Sequence, residues 1–232
     1  MRWFPARGRK ELSNSLSLES KEMAGQSPVF IQSAVEGLLD EAVIKRLIEH
    51  IGAVPGPTYG KYGKSYLREK VGGYNAAARS SPWVVLVDLN HEEDCAPPLR
   101  ASWLPHPERG MCFRVAVREV EAWLLADREP VARFLSLPSA AYIPADPEAL
   151  EDPKGALVSL ARRSRRRDIR EDMVPREGSG RSEGAAYTSR MIEFVTDRQR
   201  GWQPERAAAR SPSLGRCLAC LRRLALYRGE AA

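Results

Sequence analysis

The chain has 232 residues, 43% hydrophobic and 28% charged, the balance of an ordinary soluble globular protein with room for one α/β domain and a helical appendage. No apolar run reaches the length a bilayer-spanning helix needs, so no membrane partner is expected. With 36 Lys and Arg against 30 Asp and Glu, the formal charge of +6 is compatible with a polyanion partner without requiring one.

Residues 1–26 are polar and Ser-rich without clear period, and are expected to form a disordered N-terminal extension. Met1 to Gly8 contain no apolar signal-peptide core. Cys95, Cys112, Cys217 and Cys220 then read as reduced thiols of a cytoplasmic chain. Met23 lies just before the first strand, which suggests translation from Met23 with residues 1–22 as an upstream extension; an intact Met1 terminus on natively expressed protein would reject this.

The first strand is expected at 28–35. A helix follows over 38–51, where Leu39, Val43 and Leu47 recur with Ile44, Ile48 and Ile51. Asp40 and Glu41 suit its first turn, where the helix dipole favours negative charge. Residues 52–75, rich in Gly, Pro, Tyr and Lys, are expected to be a mobile basic and aromatic loop, with a short helix near 75–80. A second strand is expected at 83–88, an irregular proline-containing connection at 89–110, and a third strand at 112–117. Helices are expected at 119–127 and about 129–136. After residue 137 strand signals fade, with helices at about 154–163, 187–197 and 212–228 and a mobile Gly- and Ser-rich stretch at 177–186. Ser211 as N-cap and Pro212 at the first helical position mark the last helix. Alternating strands and helices argue for a mostly parallel sheet flanked by helices. The expected layout is an α/β core over 27–137 and a mainly helical C-terminal portion, 138–232, packed on it.

Parallel sheets bind ligands at the carboxyl ends of their strands. Glu36, Asp88 and Glu119 fall just past such ends, with Asp40, Asp94 and Glu121 close by in sequence. Carboxylates gathered at one place repel each other unless a cation joins them, and magnesium prefers oxygen ligands. The plainer alternative is that Asp40 and Glu41 stabilise a helix start while the other acids are solvated. Glu121 reads either as a ligand or as a buried structural acid paired with an Arg. With three His in the chain a His-based zinc site is not expected, and His91, beside Glu92 and Glu93, reads as a solvated loop residue. Cys217 and Cys220 form an isolated C-x-x-C inside a helix, read as buried packing, and Trp123 reads as core.

Glu36-Gly37 after a strand, a helical Asp40 and a strand ending Asp88-x-Asn90 resemble the Toprim domain of topoisomerases, primases and the overcoming-lysogenization-defect nucleases. Over most of 28–228 the chain is similar to the bacterial Toprim-like family called domain of unknown function 4276. The further residues that carry this likeness are Gly72-Gly73-Tyr74-Asn75, Arg118 to Asp127, Asp152-Pro153-Lys154 and Ser211-Pro212-Ser213-Leu214. The resemblance implies a Toprim-like sheet and a magnesium or manganese site drawn from Glu36, Asp40, Asp88, Asn90, Asp94, Glu119 and Glu121. It also implies a nuclease or phosphodiesterase activity. Glu36 would be a ligand or general acid/base, Asp88 a metal ligand, and Arg118 a group that stabilises developing charge. By analogy with related Toprim proteins, an ATPase partner and a role in phage defence follow. Asn90 stands where the second acid of the D-x-D pattern is expected. A neutral amide offers a carbonyl oxygen but no charge, so a catalytically weak or inactive module that binds nucleic acid or a protein is the alternative.

Two basic segments bear on the partner. Lys61, Lys64, Arg68 and Lys70 interleave with Tyr62, Tyr66 and Tyr74, a composition suited to phosphate contact plus base stacking, or to an ordinary flexible loop. Arg165, Arg166 and Arg167 sit in a run at 162–170 that reads as phosphate-binding, as a solvated face, or as a dock for an acidic protein surface.

Overall fold

Side-chain alternation along three strands builds a sheet with two covered faces. In β1 (Phe30–Val35), Ile31 and Val35 enter one apolar cluster and Ala34 the other. In β3 (Trp83–Asp88), Val84 and Leu86 face the first, while Trp83, Val85 and Val87 face the second. In β4 (Met111–Ala116), Cys112 and Ala116 are opposed by Met111, Phe113 and Val115 in the same way. The computed structural model describes residues 28–90 and 95–227. Residues 1–26, Met23, His91, Asp94 and the end of the last expected helix therefore lie outside the described residues.

The sheet has four strands in the order β2-β1-β3-β4, all parallel. The expected α/β architecture is what the chain adopts. β2 (Val54–Gly60) is a correction, because the 52–75 segment was expected to be a mobile loop. Its sequence, VPGPTYG, shows no hydrophobic alternation. Proline lacks a donor and is tolerated in a strand at the sheet edge, and β2 is an edge strand. α1 (Leu38–His50) follows β1 and buries Val43, Ile44, Leu47 and Ile48. α2 (Lys64–Ala77), in place of the expected short helix at 75–80, buries Leu67 and Val71 against the second cluster. Gly72 and Gly73 in its interior weaken its local signal. α3 (Ala96–Trp103) lies in the stretch expected to be irregular, with its prolines in the first turn, where they cost no hydrogen bond.

After β4 come α4 (Val120–Leu125) and α5 (Arg128–Phe134), then the C-terminal helices α6 (Pro153–Arg162), α7 (Arg167–Met173), α8 (Tyr187–Thr196), α9 (Pro204–Ala208) and α10 (Pro212–Ala225). α7 and α9 were not expected; each is under eight residues, too short for periodicity to show. Ile31, Trp123, Leu157, Phe194 and Leu218 share one buried cluster, so the helical portion closes the first face of the sheet.

Trp123, Trp202 and Asp127, carried into this junction, have their polar groups paired. Trp123 Nε1 donates to Ser213 Oγ at 2.6 Å and Trp202 Nε1 donates to the Trp123 carbonyl at 3.1 Å. Asp127 is fully buried and accepts from Arg206 Nε at 2.6 Å, Arg206 Nη2 at 3.0 Å and the Gln203 N–H at 2.8 Å. The expectation of reduced thiols is corrected for one pair: Cys112 of β4 and Cys220 of α10 are disulfide-bonded, with Cα atoms 6.0 Å apart and a sequence separation of 108. Cys217, one turn earlier on α10, is a buried free thiol, and burial pushes its pKa up to about 12. Among the described residues no helix is long and apolar enough to cross a membrane.

Candidate functional site

The strand ends place the acids. Glu36 and Gly37 leave β1 and lead directly into α1, so Asp40 falls in the first helical turn. Asp88 is the last residue of β3. Glu119 precedes α4 and Glu121 lies in its first turn. A relay of hydrogen bonds then registers these elements. Glu36 Oε1 accepts the Asp88 N–H at 2.9 Å, Asp88 Oδ1 accepts the Val120 N–H at 3.1 Å, and Glu119 Oε2 accepts the Lys154 N–H at 3.3 Å. Each of these carboxylates is held by the backbone of the next element, which fixes its position without neutralising it.

Asp40, Asp88 and Glu121 line a common cavity of about 150 Å³, with Gly37, Lys154 and Tyr187 among the other walls. Asp40 is 7% and Glu121 3% exposed. Burial pushes the Asp40 carboxyl up to about 6 and Glu121 up to about 7. Burial also lifts Asp88 well above the ordinary carboxylate range, and repulsion from Asp40, Glu121, Glu36 and Glu119 adds to it. Lys154 brings a counter-charge to the cavity wall, its Nζ 3.7 Å from Glu121 Oε1. Burial works against its charge, but Glu121 and Glu119 outweigh that and hold its pKa above the ordinary value. The Tyr187 hydroxyl donates to Glu121 Oε1 at 3.3 Å; burial, then the neighbouring Glu121, raise its pKa well above the usual phenol.

Of the acids named from sequence, the fold brings together Glu36, Asp40, Asp88, Glu119 and Glu121; Asp94 lies outside the described residues. Asn90 does not line the cavity. It turns the chain at φ 51°, its N–H donates to the Arg118 carbonyl at 2.9 Å, and Arg118 Nη1 donates to the Asn90 carbonyl at 2.8 Å. Arg118 thus clamps the turn after β3. Glu121 is the buried acid anticipated, but its partners are Lys154 and Tyr187 rather than an Arg. These two were not assigned roles from sequence. Lys154 had a signal in the Asp152-Pro153-Lys154 helix start, whereas nothing local marks Tyr187, the first residue of α8.

Among the basic candidates, Lys64 Nζ donates to the carbonyls of Asp88 at 2.6 Å and Leu89 at 3.2 Å, and Lys61 Nζ is 3.2 Å from Glu41 Oε2. Both therefore stand at the rim of the acidic site. The arginine run spans the end of α6, the turn after it and the first part of α7, outside the cavity lining. There Arg166 pairs with Asp168, Arg167 Nε pairs with Glu171 at 2.7 Å, and Arg165 is exposed.

The donor chemistry suits a hard divalent ion: carboxylate oxygens, no sulfur or imidazole, and raised pKa values that a cation would relieve. Among the described residues no group of three or more His, Cys, Asp or Glu is arranged to hold a metal ion. A magnesium-type ion needs only one or two carboxylates with water, which Asp88 with Asp40 or Glu121 can provide. No family model, curated protein or solved structure matches this chain.

Proposed function

We propose that the chain is a metal-dependent phosphodiesterase or nuclease of Toprim type. The observation that supports this reading is the cavity at the strand ends. There Asp40, Asp88 and Glu121 converge with their pKa values raised by burial, and the Lys154 ammonium stands beside Glu121. Asp88, with Asp40 or Glu121, would hold a magnesium or manganese ion. When bound, such an ion polarises a phosphate and lowers the pKa of its water. Glu36 positions Asp88 through its backbone N–H. Lys154 supplies positive charge at the cavity wall, where it would offset a phosphate oxygen. Glu121, titrating near 7 and held by Tyr187, is suited to give or take a proton.

The test is a panel of single- and double-stranded DNA and RNA incubated with Mg²⁺ or Mn²⁺. Cleavage that is lost in Asp88→Asn is expected. Absence of metal binding by calorimetry, together with absence of cleavage, would overturn the reading. The second reading, a module that binds nucleic acid or a protein without cutting, is favoured by Asn90 in place of an acid; it expects salt-sensitive binding with no cleavage. An ATPase partner, phage defence and a cytoplasmic location belong to the same proposal and rest on the resemblance and on composition.

A further inference from the structure

Tyr62 projects from the loop between β2 and α2 and is 78% exposed. An aromatic ring in water is unfavourable unless it has a partner to cover it. The loop that carries it is tightly specified. Gly60, Lys61 and Gly63 have φ of 86°, 72° and 81°, the left-handed region that a lysine rarely adopts. A Cβ on Gly60 would strike the Val35 carbonyl oxygen, so only glycine fits there. The Lys61 N–H donates to the Val35 carbonyl at 2.8 Å and the Gly63 N–H to the Glu36 carbonyl at 3.1 Å. Tyr62 is thereby fixed against the strand end that carries Glu36.

From Tyr62, in the loop before α2, a stripe continues down one face of the helix at four-residue spacing through Tyr66, Lys70 and Tyr74. The Tyr62 and Tyr66 rings meet edge-on at 5.1 Å, and Lys70 Nζ sits 5.8 Å from the Tyr66 centroid. Tyr74 stacks on Trp83 at 5.1 Å, and Tyr59 of β2, 44% exposed, closes on that pair at 5.3 Å from Trp83. Four of the chain's seven tyrosines therefore share one surface that begins beside the acidic cavity. Lys61 and Lys64 stand at its upper end and Lys70 along it, ion-paired at 2.6 Å with the one acid of α2, Glu69, while Arg68 lies round the helix over Trp103.

We infer that this face of α2 is a stacking track for single-stranded nucleic acid, leading an unpaired strand to the cavity. The inference rests on the phosphodiesterase reading only for what happens at the cavity; the track itself is a binding surface. Aromatic rings interleaved with cations match bases and phosphates in alternation, and a duplex keeps its base faces stacked away from such rings. From Tyr66 to Tyr74 the helix rises about 12 Å, and the Tyr62 ring adjoins Tyr66 at 5.1 Å, together about the length of five nucleotides at the spacing of one strand.

Fluorescence anisotropy with labelled oligonucleotides of three to twelve nucleotides, in EDTA so that no cleavage intervenes, tests it. Binding is expected to strengthen up to about five or six nucleotides and to exceed binding of a duplex of the same sequence. Tyr62→Ala is expected to weaken it about tenfold, while Tyr62→Phe retains it. Tyr62 is exposed, so both variants are expected to fold. Equal affinity for duplex and single strand, no effect of Tyr62→Ala, or preference for a proline-rich peptide would overturn the track. Binding with these properties but no cleavage with any metal would leave the track standing and reject the enzyme reading. Metal-dependent cleavage indifferent to Tyr62→Ala would do the reverse.

Discussion

The Glu36 carboxylate accepts the backbone N–H of Asp88 at 2.9 Å, across 52 residues of sequence. One acid of the site thus sets the height of the other, because the bond ties the end of β1 to the end of β3. Glu36→Ala removes a charged acceptor from a half-buried donor and is expected to cost about 1–2 kcal/mol. Glu36→Gln keeps an acceptor oxygen and is expected to stay within about 0.5 kcal/mol of the parent. Urea unfolding of the three proteins checks the difference. Loss of metal-dependent cleavage in Glu36→Gln with stability retained would separate its chemical part from its positioning part.

A divalent ion that binds Asp88 and its neighbours stabilises the folded chain by mass action. At a hundredfold excess over Kd the gain is about 2.7 kcal/mol, or roughly 5–10 °C in Tm for a chain of this length. Mg²⁺ or Mn²⁺ is expected to produce this shift, and Asp88→Asn to abolish it, in a thermal melt read by circular dichroism.

The metal-free protein is expected to lose stability as pH rises. Asp40 titrates near 6 and Glu121 near 7 in the folded chain, both above their ordinary carboxylate values. Between about pH 4 and 7 the folded state holds more protons than the unfolded one, so stability falls with rising pH. The penalty from these two groups is absent below the ordinary carboxylate range, nearly complete above about 7, and of the order of a few kcal/mol, and Asp88, also lifted, adds to it with the same sign. Glu119 repels both groups and Lys154 attracts them; Lys154 stays charged throughout this window. Denaturation midpoints in EDTA from pH 4.5 to 8 check the slope. Asp40→Asn or Glu121→Gln is expected to flatten it, and a midpoint that rises across the window would contradict the assignment.

Reduction of the Cys112–Cys220 bond opens a loop of 108 residues and is expected to lower Tm by roughly 5–15 °C. Cys220→Ala is expected to reproduce the effect without reductant. In the folded oxidised protein, iodoacetamide is expected to label exposed Cys95 and leave Cys217 untouched, because burial keeps its thiol protonated. Mass spectrometry of tryptic peptides distinguishes them, and rapid labelling of Cys112 would show that the bond is not formed.

Local pattern carried most of the scaffold. The β-branched runs at 30–35 and 83–88, the helical spacing from Leu39 to Ile48 and the Ser211-Pro212 start of the last helix are visible in the residues alone. The Ser211 side chain does accept the Leu214 N–H, at 3.3 Å. These signals survive because each depends on neighbours within a few residues. The strand-end positions of Glu36 and Asp88 were visible for the same reason. Packing decided the rest. β2 is a strand only because β1 offers it an edge, its two prolines and two glycines hiding any alternation. α2 holds despite two interior glycines because Leu67 and Val71 are covered by the sheet. Tyr187 reaches Glu121 from 66 residues away, and Cys220 reaches Cys112 from 108. Such contacts leave no periodic trace in sequence: they follow from how the helical portion seats on one face of the sheet, which is set by the whole buried cluster rather than by any segment of it.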